Sequence, residues 1–235
     1  MNLPYFFIEN DVAGKLIELN EETSKHVVQV LRMEKGEKLL LTNGKGQTFE
    51  CEITEAHKKH CSVEIIKISK FDEPQKKITI AISLLKNTSR FEWFLEKAVE
   101  IGVTGIVPLI CKRTEKQHFR YERMRAITIS AMLQSQKTFL ADLNEPIKFN
   151  HFISKDFTGM KLIAHCEEEK TRNSLSNLQL SESVLMLIGP EGDFTSEEIK
   201  DAINKNFISV SLGETRLRTE TAGVVAAALI KNLQV

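Results

Sequence analysis

Leu187-Ile188-Gly189-Pro190-Glu191-Gly192-Asp193-Phe194-Thr195 carries an apolar run into two glycines and a proline, and then into the start of a helix. Residues 184–188 are apolar at every position, as a strand buried on both faces requires. Residues 196–204 have helical spacing, and Thr195 stands where an N-cap is wanted. Glycine after a strand lets the backbone approach a ligand closely. Open parallel sheets bind ligands at the carboxyl ends of their strands. As structure alone, the stretch is a tight strand-to-helix turn. It holds neither the G-x-G-x-x-G of a dinucleotide site nor the Gly-Lys-Ser/Thr of a phosphate loop.

A second stretch has the same grammar. Leu212-Gly213-Glu214-Thr215-Arg216-Leu217-Arg218-Thr219-Glu220-Thr221-Ala222 follows an apolar strand, residues 207–212, and opens an Ala-rich helix, residues 220–233. Backbone N–H groups at a helix start are free to hold polar or anionic groups. Thr219 as N-cap is the structural reading of this segment, but capping leaves Arg216 and Arg218 unexplained.

Outward from these loops, apolar runs alternate with helical patterns. Strands are expected at 78–85, 106–110, 161–165 and 184–188, and helices at 91–101 and 120–136. Phe91, Phe94, Leu95, Ala98 and Val99 share one helix face, and Gly102 is placed to end that helix. This alternation implies a parallel α/β sheet over residues 75–235. Residues 1–72 read differently. Short strands at 38–42, 47–56 and 61–68 surround the turn signal Asn43-Gly44-Lys45-Gly46, which suits a small β-barrel. Residues 23–31 read as a helix capped by Thr23 or Ser24. The polar run 71–77, interrupted by Pro74, is a linker.

Net charge is zero, which argues against a general nucleic-acid coat but hides local asymmetry. Residues 1–74 hold 10 Lys and Arg against 13 Asp and Glu, whereas residues 86–137 hold 10 against 5. Lys112, Arg113, Lys116, Arg120, Arg123 and Arg125 are the densest part, either a solvated face or a phosphate-contacting surface. Cys51, Cys61, Cys111 and Cys166 fit neither metal-ligand nor disulfide spacing, and are expected as reduced core residues. No metal site is implied. No stretch is long and apolar enough for a membrane span, and the cytoplasm is the expected compartment.

The pair of loops resembles the RsmE family, ribosomal RNA methyltransferases of the SPOUT class. The resemblance extends to His26-Val27-Val28-Gln29-Val30-Leu31-Arg32 with Lys35-Gly36, to Glu96-Lys97-Ala98-Val99-Glu100-Ile101-Gly102-Val103, and to Gln134-Ser135. It spans residues 26–230. This chain departs from the family's pattern at Tyr5, Lys137, Ala141 and Asp193, where Arg, Arg, Pro and Gly are usual.

The resemblance implies a PUA-like β-barrel that helps grip RNA, over residues 1–72. It also implies a SPOUT-type parallel sheet over 75–235, with a C-terminal trefoil knot. S-adenosyl-L-methionine is the implied cofactor, held by His165, Ile188, Gly189, Pro190, Glu191, Gly192, Leu212, Gly213, Arg216, Leu217, Arg218 and Thr219. The implied substrate is 16S rRNA in the small ribosomal subunit, methylated at N3 of a specific uridine (m3U1498). Arg218 and Glu220 are the candidate catalytic pair. His26, Arg32, Arg90 and Arg113 are the candidate RNA contacts. A homodimer is implied, with the last helix at its interface. The same fold would also carry methylation of another RNA atom, such as a ribose 2′-hydroxyl, or a non-catalytic role in RNA binding and assembly.

Overall fold

The computed structural model describes residues 3–9, 14–167 and 173–234. The chain divides into two compact units, residues 1–73 with 132–140, and residues 74–131 with 141–235.

The first unit contains β1 (Tyr5–Phe7), β2 (Leu16–Glu18), α1 (Glu21–Lys25), β3 (Lys38–Thr42), β4 (Gln47–Glu55) and β5 (Ser62–Lys70). They form a curled five-stranded sheet in the order β1-β3-β4-β5-β2. Period-two alternation sets its register: Leu39 faces Cys51, Leu41 faces Phe49 and Val63 faces Ile53, and all six are buried. The β3–β4 turn is made by Asn43, whose Oδ1 accepts from the N–H groups of Lys45 and Gln47 at 2.9 and 3.2 Å. Gly44 and Gly46 take left-handed φ of 67° and 82° there.

The helix expected at 23–31 is shorter and begins earlier. Asn20 is the N-cap, accepting from the Thr23 N–H at 2.8 Å. Ser24 is buried instead: its hydroxyl donates to the Leu19 carbonyl and accepts from the Cys61 N–H. His26–Val30 then forms a π-helical turn. Residues 132–140 complete this unit. Thr138 O accepts from Gly46 N, Leu140 N donates to Gly44 O, and the Tyr5 hydroxyl donates to Lys137 O.

The second unit runs β6 (Lys77–Ser83), α2 (Thr88–Ile101), β7 (Gly105–Ile110), α3 (Tyr121–Gln134, its last three residues belonging to the first unit), β8 (Asp142–Leu143), β9 (Ile147–Lys148), α4 (Phe149–Ile153), β10 (Met160–Ala164), β11 (Asn173–Ser174), β12 (Ser183–Ile188), α5 (Ser196–Asn204), β13 (Ile208–Ser211) and α6 (Thr219–Leu233). The sheet order is β11-β13-β10-β12-β6-β7-β8, with β9 also on β7, and every pairing is parallel. A parallel α/β sheet preceded by a small β unit is thus the architecture.

One face of this sheet packs Ala81, Leu109, Ile163, Leu185 and Leu187 against Phe149 and Ile153 of α4 and Ile199 and Ala202 of α5. On α6, packed against α2, β6 and β12, Gly223 permits a close approach, since a Cβ there would lie 2.6 Å from the Phe94 ring. Pro108 is tolerated inside β7 because of its side. Ile106 O points to Asn144 N, residues two apart share a direction, and Pro108 therefore lacks its N–H between β8 and β9, where no partner is registered.

Helix ends follow the residues. Asn87 caps α2 and Gly102, at φ 113°, ends it. Thr195 and Glu198 form a capping box on α5. Thr219, expected as a cap, lies buried in the first turn of α6, and the N-cap position is Arg218, without a side-chain bond. Of the cysteines expected in the core, Cys51, Cys61 and Cys111 are buried, but Cys166 is exposed because it follows the end of β10. No described helix is long and apolar enough to cross a membrane.

Candidate active site

Three adjacent strands, β13, β10 and β12, end side by side, and the loops that leave them enclose a cavity of about 510 Å³. This is within the roughly 300–1,000 Å³ of small-molecule sites. The β10 end contributes Ala164, His165 and Cys166. The β12 end contributes Ile188 to Glu191 and Asp193. From β13 come Val210 and Ser211, then Leu212 to Thr219, and Ala222 of α6 closes the wall.

Backbone chemistry explains the loop residues. Gly189 is needed for space: a Cβ would lie 3.0 Å from the Phe194 ring and from the Phe194 N–H. Gly213 is needed for conformation, at φ 147° with open space around it. Gly192 has no left-handed φ. A Cβ there would meet Arg113 at 3.3 Å, and its carbonyl accepts from the Arg113 guanidinium at 2.5 Å. The left-handed residue of this loop is Asp193, at φ 63°, whose N–H closes a turn on Pro190 O at 2.9 Å.

The start of α6 supplies the polar end. Arg218 is extended and exposed, and the first intrahelical bond runs from Ala222 N to Arg218 O. The N–H groups of the first turn are therefore outside the helix's own ladder. Glu220 is buried at 6% exposure. Its Oε1 lies 3.6 Å from Arg90 Nε, and its Oε2 is buried without a hydrogen-bond partner. A carboxylate held this way is costly unless it serves a ligand or reaction.

Of the expected cofactor residues, His165, Ile188, Gly189, Pro190, Glu191, Leu212, Gly213, Arg216, Leu217, Arg218 and Thr219 all line the cavity, whereas Gly192 is not on its wall and meets Arg113. Arg218 lines the cavity, and Glu220, which is not on its wall, lies in the first turn of α6. The four expected RNA contacts divide between the two units. His26 and Arg32 belong to the first unit, where both are exposed and the His26 ring meets Phe6 edge-on. Arg90 and Arg113 belong to the second unit and engage Glu220 and the Gly192 loop. The basic run 112–125 is partly spent on structure as well: Arg123 forms a two-pronged pair with Glu92 at 2.5 and 2.8 Å, and Lys112 pairs with Glu197.

Ser211 also lines the cavity and carries no motif that would single it out, and Glu214 and Thr215 of the second loop stretch join it there. Cys166 was legible in principle, since it directly follows His165, just past the end of β10. The buried Cys111 thiol is pushed up to about 12 by burial, which removes it as a nucleophile. Among the described residues no group of three or more His, Cys, Asp or Glu is arranged to hold a metal.

The comparisons with known proteins agree with this architecture. A family model described as an RNA methyltransferase domain matches residues 72–231, and an RNA methyltransferase PUA domain matches residues 19–66. Fold and site thus define a two-unit protein of the RNA methyltransferase class. A ribosomal RNA small subunit methyltransferase E of Rickettsia conorii is 30% identical over 222 residues, covering 92% of this chain and 90% of that one. A probable rRNA methyltransferase from Porphyromonas gingivalis has a crystal structure with TM-score 0.92 and 38% identity, covering 99% and 98% of the two chains. A ribosomal RNA small subunit methyltransferase E from Neisseria gonorrhoeae, solved bound to S-adenosyl methionine, has TM-score 0.89 and 29% identity over 99% and 98%. The chain belongs to the ribosomal RNA small subunit methyltransferase E family.

Proposed function

We propose that this protein transfers a methyl group from S-adenosyl-L-methionine to N3 of one uridine in 16S rRNA of the small ribosomal subunit. The observation that carries the reading is the cavity at the ends of β13, β10 and β12, with Arg218 on its wall and, in the first turn of α6, the buried Glu220 carboxylate, whose Oε1 faces Arg90 and whose Oε2 has no hydrogen-bond partner. The lining fits the cofactor. Ile188, Val210, Leu212, Leu217 and Ala222 offer apolar surface to a purine, and Gly189 forms part of the wall at a position where a side chain would press on Phe194. Arg216 and Arg218 complement a carboxylate, and Glu191 and Glu214 complement positive charge.

When bound, S-adenosylmethionine supplies an electrophilic methyl group on a sulfonium. The residues of the chain then have two tasks. Glu220, once the RNA is bound and its buried carboxylate reached, accepts the N3 proton of the uridine or orients the base for that loss. Arg218 stabilises the negative charge that deprotonation places on the uracil oxygens. Nitrogen thus gains the methyl as it loses its proton, and the positive charge of the sulfonium is discharged.

RNA would be gripped by both units, through His26 and Arg32 on the first and Arg90 and Arg113 on the second. A homodimer would bury the stripe Val224, Val225, Ala228 and Leu229, half-exposed and apolar along α6. The return of α6 beneath β6 and β12, after β13 has been laid beyond β10, is compatible with a trefoil knot. The cytoplasm, where small subunits assemble, is the proposed setting. The test is transfer of labelled methyl to isolated small subunits from cells lacking this gene. Labelled 16S rRNA supports the reading, and cofactor binding without labelling of any RNA would favour a binding role.

A further inference from the structure

We propose that Asp193 is a positioning residue for the cofactor, its carboxylate tying together two of the three cavity loops before anything binds. The inference rests on the reading of the cavity as the S-adenosylmethionine site. Strands β10 and β12 are neighbours whose last registered pair is Ala164 and Ile188. Beyond that pair the backbone ladder stops and the loops diverge. Asp193 supplies the next link with a side chain. Its Oδ2 accepts from the Cys166 N–H at 2.7 Å, across the gap, and its Oδ1 accepts from the Phe194 N–H at 2.7 Å. Both are charge-assisted bonds of short length.

The seat for this carboxylate is built into the loop. A Cβ on Gly189 would lie 3.2 Å from Asp193 Oδ1, so Gly189 leaves the room that the carboxylate occupies. Asp193 adopts φ 63°, a conformation that Asp and Asn tolerate better than other side chains. The family resemblance leads to a glycine at this position, which would take the same backbone but bring no latch. Cys166 and Asp193 both line the cavity, so the link fixes the distance between two of its walls.

Glycine and asparagine both accept a left-handed φ, so Asp193→Gly removes the latch and Asp193→Asn weakens it without straining the turn. Calorimetric titration with S-adenosylmethionine should show affinity about tenfold weaker for Asp193→Gly, and a smaller loss for Asp193→Asn, which keeps one acceptor. KM for the cofactor should rise while kcat stays near that of the wild type. Hydrogen exchange of the ligand-free protein should show the Cys166 amide losing protection in Asp193→Gly. Wild-type affinity in both variants, with Cys166 still protected, would overturn the latch alone. Failure of the wild type to bind the cofactor would overturn the reading of the cavity, and the latch with it.

Discussion

Arg90 Nε lies 3.6 Å from Oε1 of the buried Glu220, while Oε2 of the same carboxylate has no hydrogen-bond partner. One oxygen is thus near a cation and the other is buried without a partner. In the proposed mechanism Glu220→Gln keeps the shape and removes the proton acceptor. Methyl transfer should fall by about 10²–10⁴-fold while cofactor affinity, read by calorimetry, is unchanged. Arg90→Ala should lower kcat more than it weakens RNA binding, because Arg90 faces Glu220 as well as any RNA.

The contact of α6 with α2 has no slack at Gly223. A methyl group there would approach the Phe94 ring at 2.6 and 2.8 Å and Ile82 at 3.0 Å, all of them buried and close-packed. Gly223→Ala should therefore destabilise by about 1–3 kcal/mol despite its better helix propensity. Urea denaturation measures this directly.

Glu92 accepts a two-pronged bond from Arg123, which holds its carboxyl below the ordinary value of 4.5. A carboxylate with a lowered folded-state value contributes stability that is complete above 4.5 and is lost as pH falls through the lowered value. The stability difference between wild type and Glu92→Gln should therefore be present at neutral pH and vanish in acid below the carboxylate range. Chemical denaturation at the two pH values checks this. A difference that grows in acid would contradict it.

The first unit draws on residues 132–140, which bond to Gly44, Gly46 and Tyr5. A fragment of residues 1–73 should consequently fold less stably than the same unit in the full chain. Hydrogen exchange at Gly46, whose N–H donates to Thr138 O, should be faster in the fragment.

Long periodic elements were legible in the amino-acid sequence. The apolar runs of β6, β7 and β12 and the one-sided helix α2 have periods that few other structures satisfy. Short pieces were not. β8 and β9 are two residues each and α4 is five, too short to display any period. The π-helical turn at His26–Val30 has the composition of an ordinary helix. Asn20 is hidden as a cap because Thr23 and Ser24 stand nearer the apolar residues of the helix. The two loop motifs brought most of the cavity wall into view, since glycine and charge after an apolar strand have few structural explanations. What sequence order could not convey was the pairing of Arg90 with Glu220, or of Asp193 with Cys166, because each joins residues brought together only by the fold.

The most direct test of the account is the identity of the methylated nucleoside. Small subunits from cells lacking this gene are treated with the protein and S-adenosylmethionine, and their 16S rRNA is digested and analysed by mass spectrometry. The account predicts 3-methyluridine at a single site, absent when Glu220→Gln or Arg218→Ala replaces the wild type. A methylated ribose or a different base would contradict it, leaving the cofactor site but not the proposed chemistry at uridine N3.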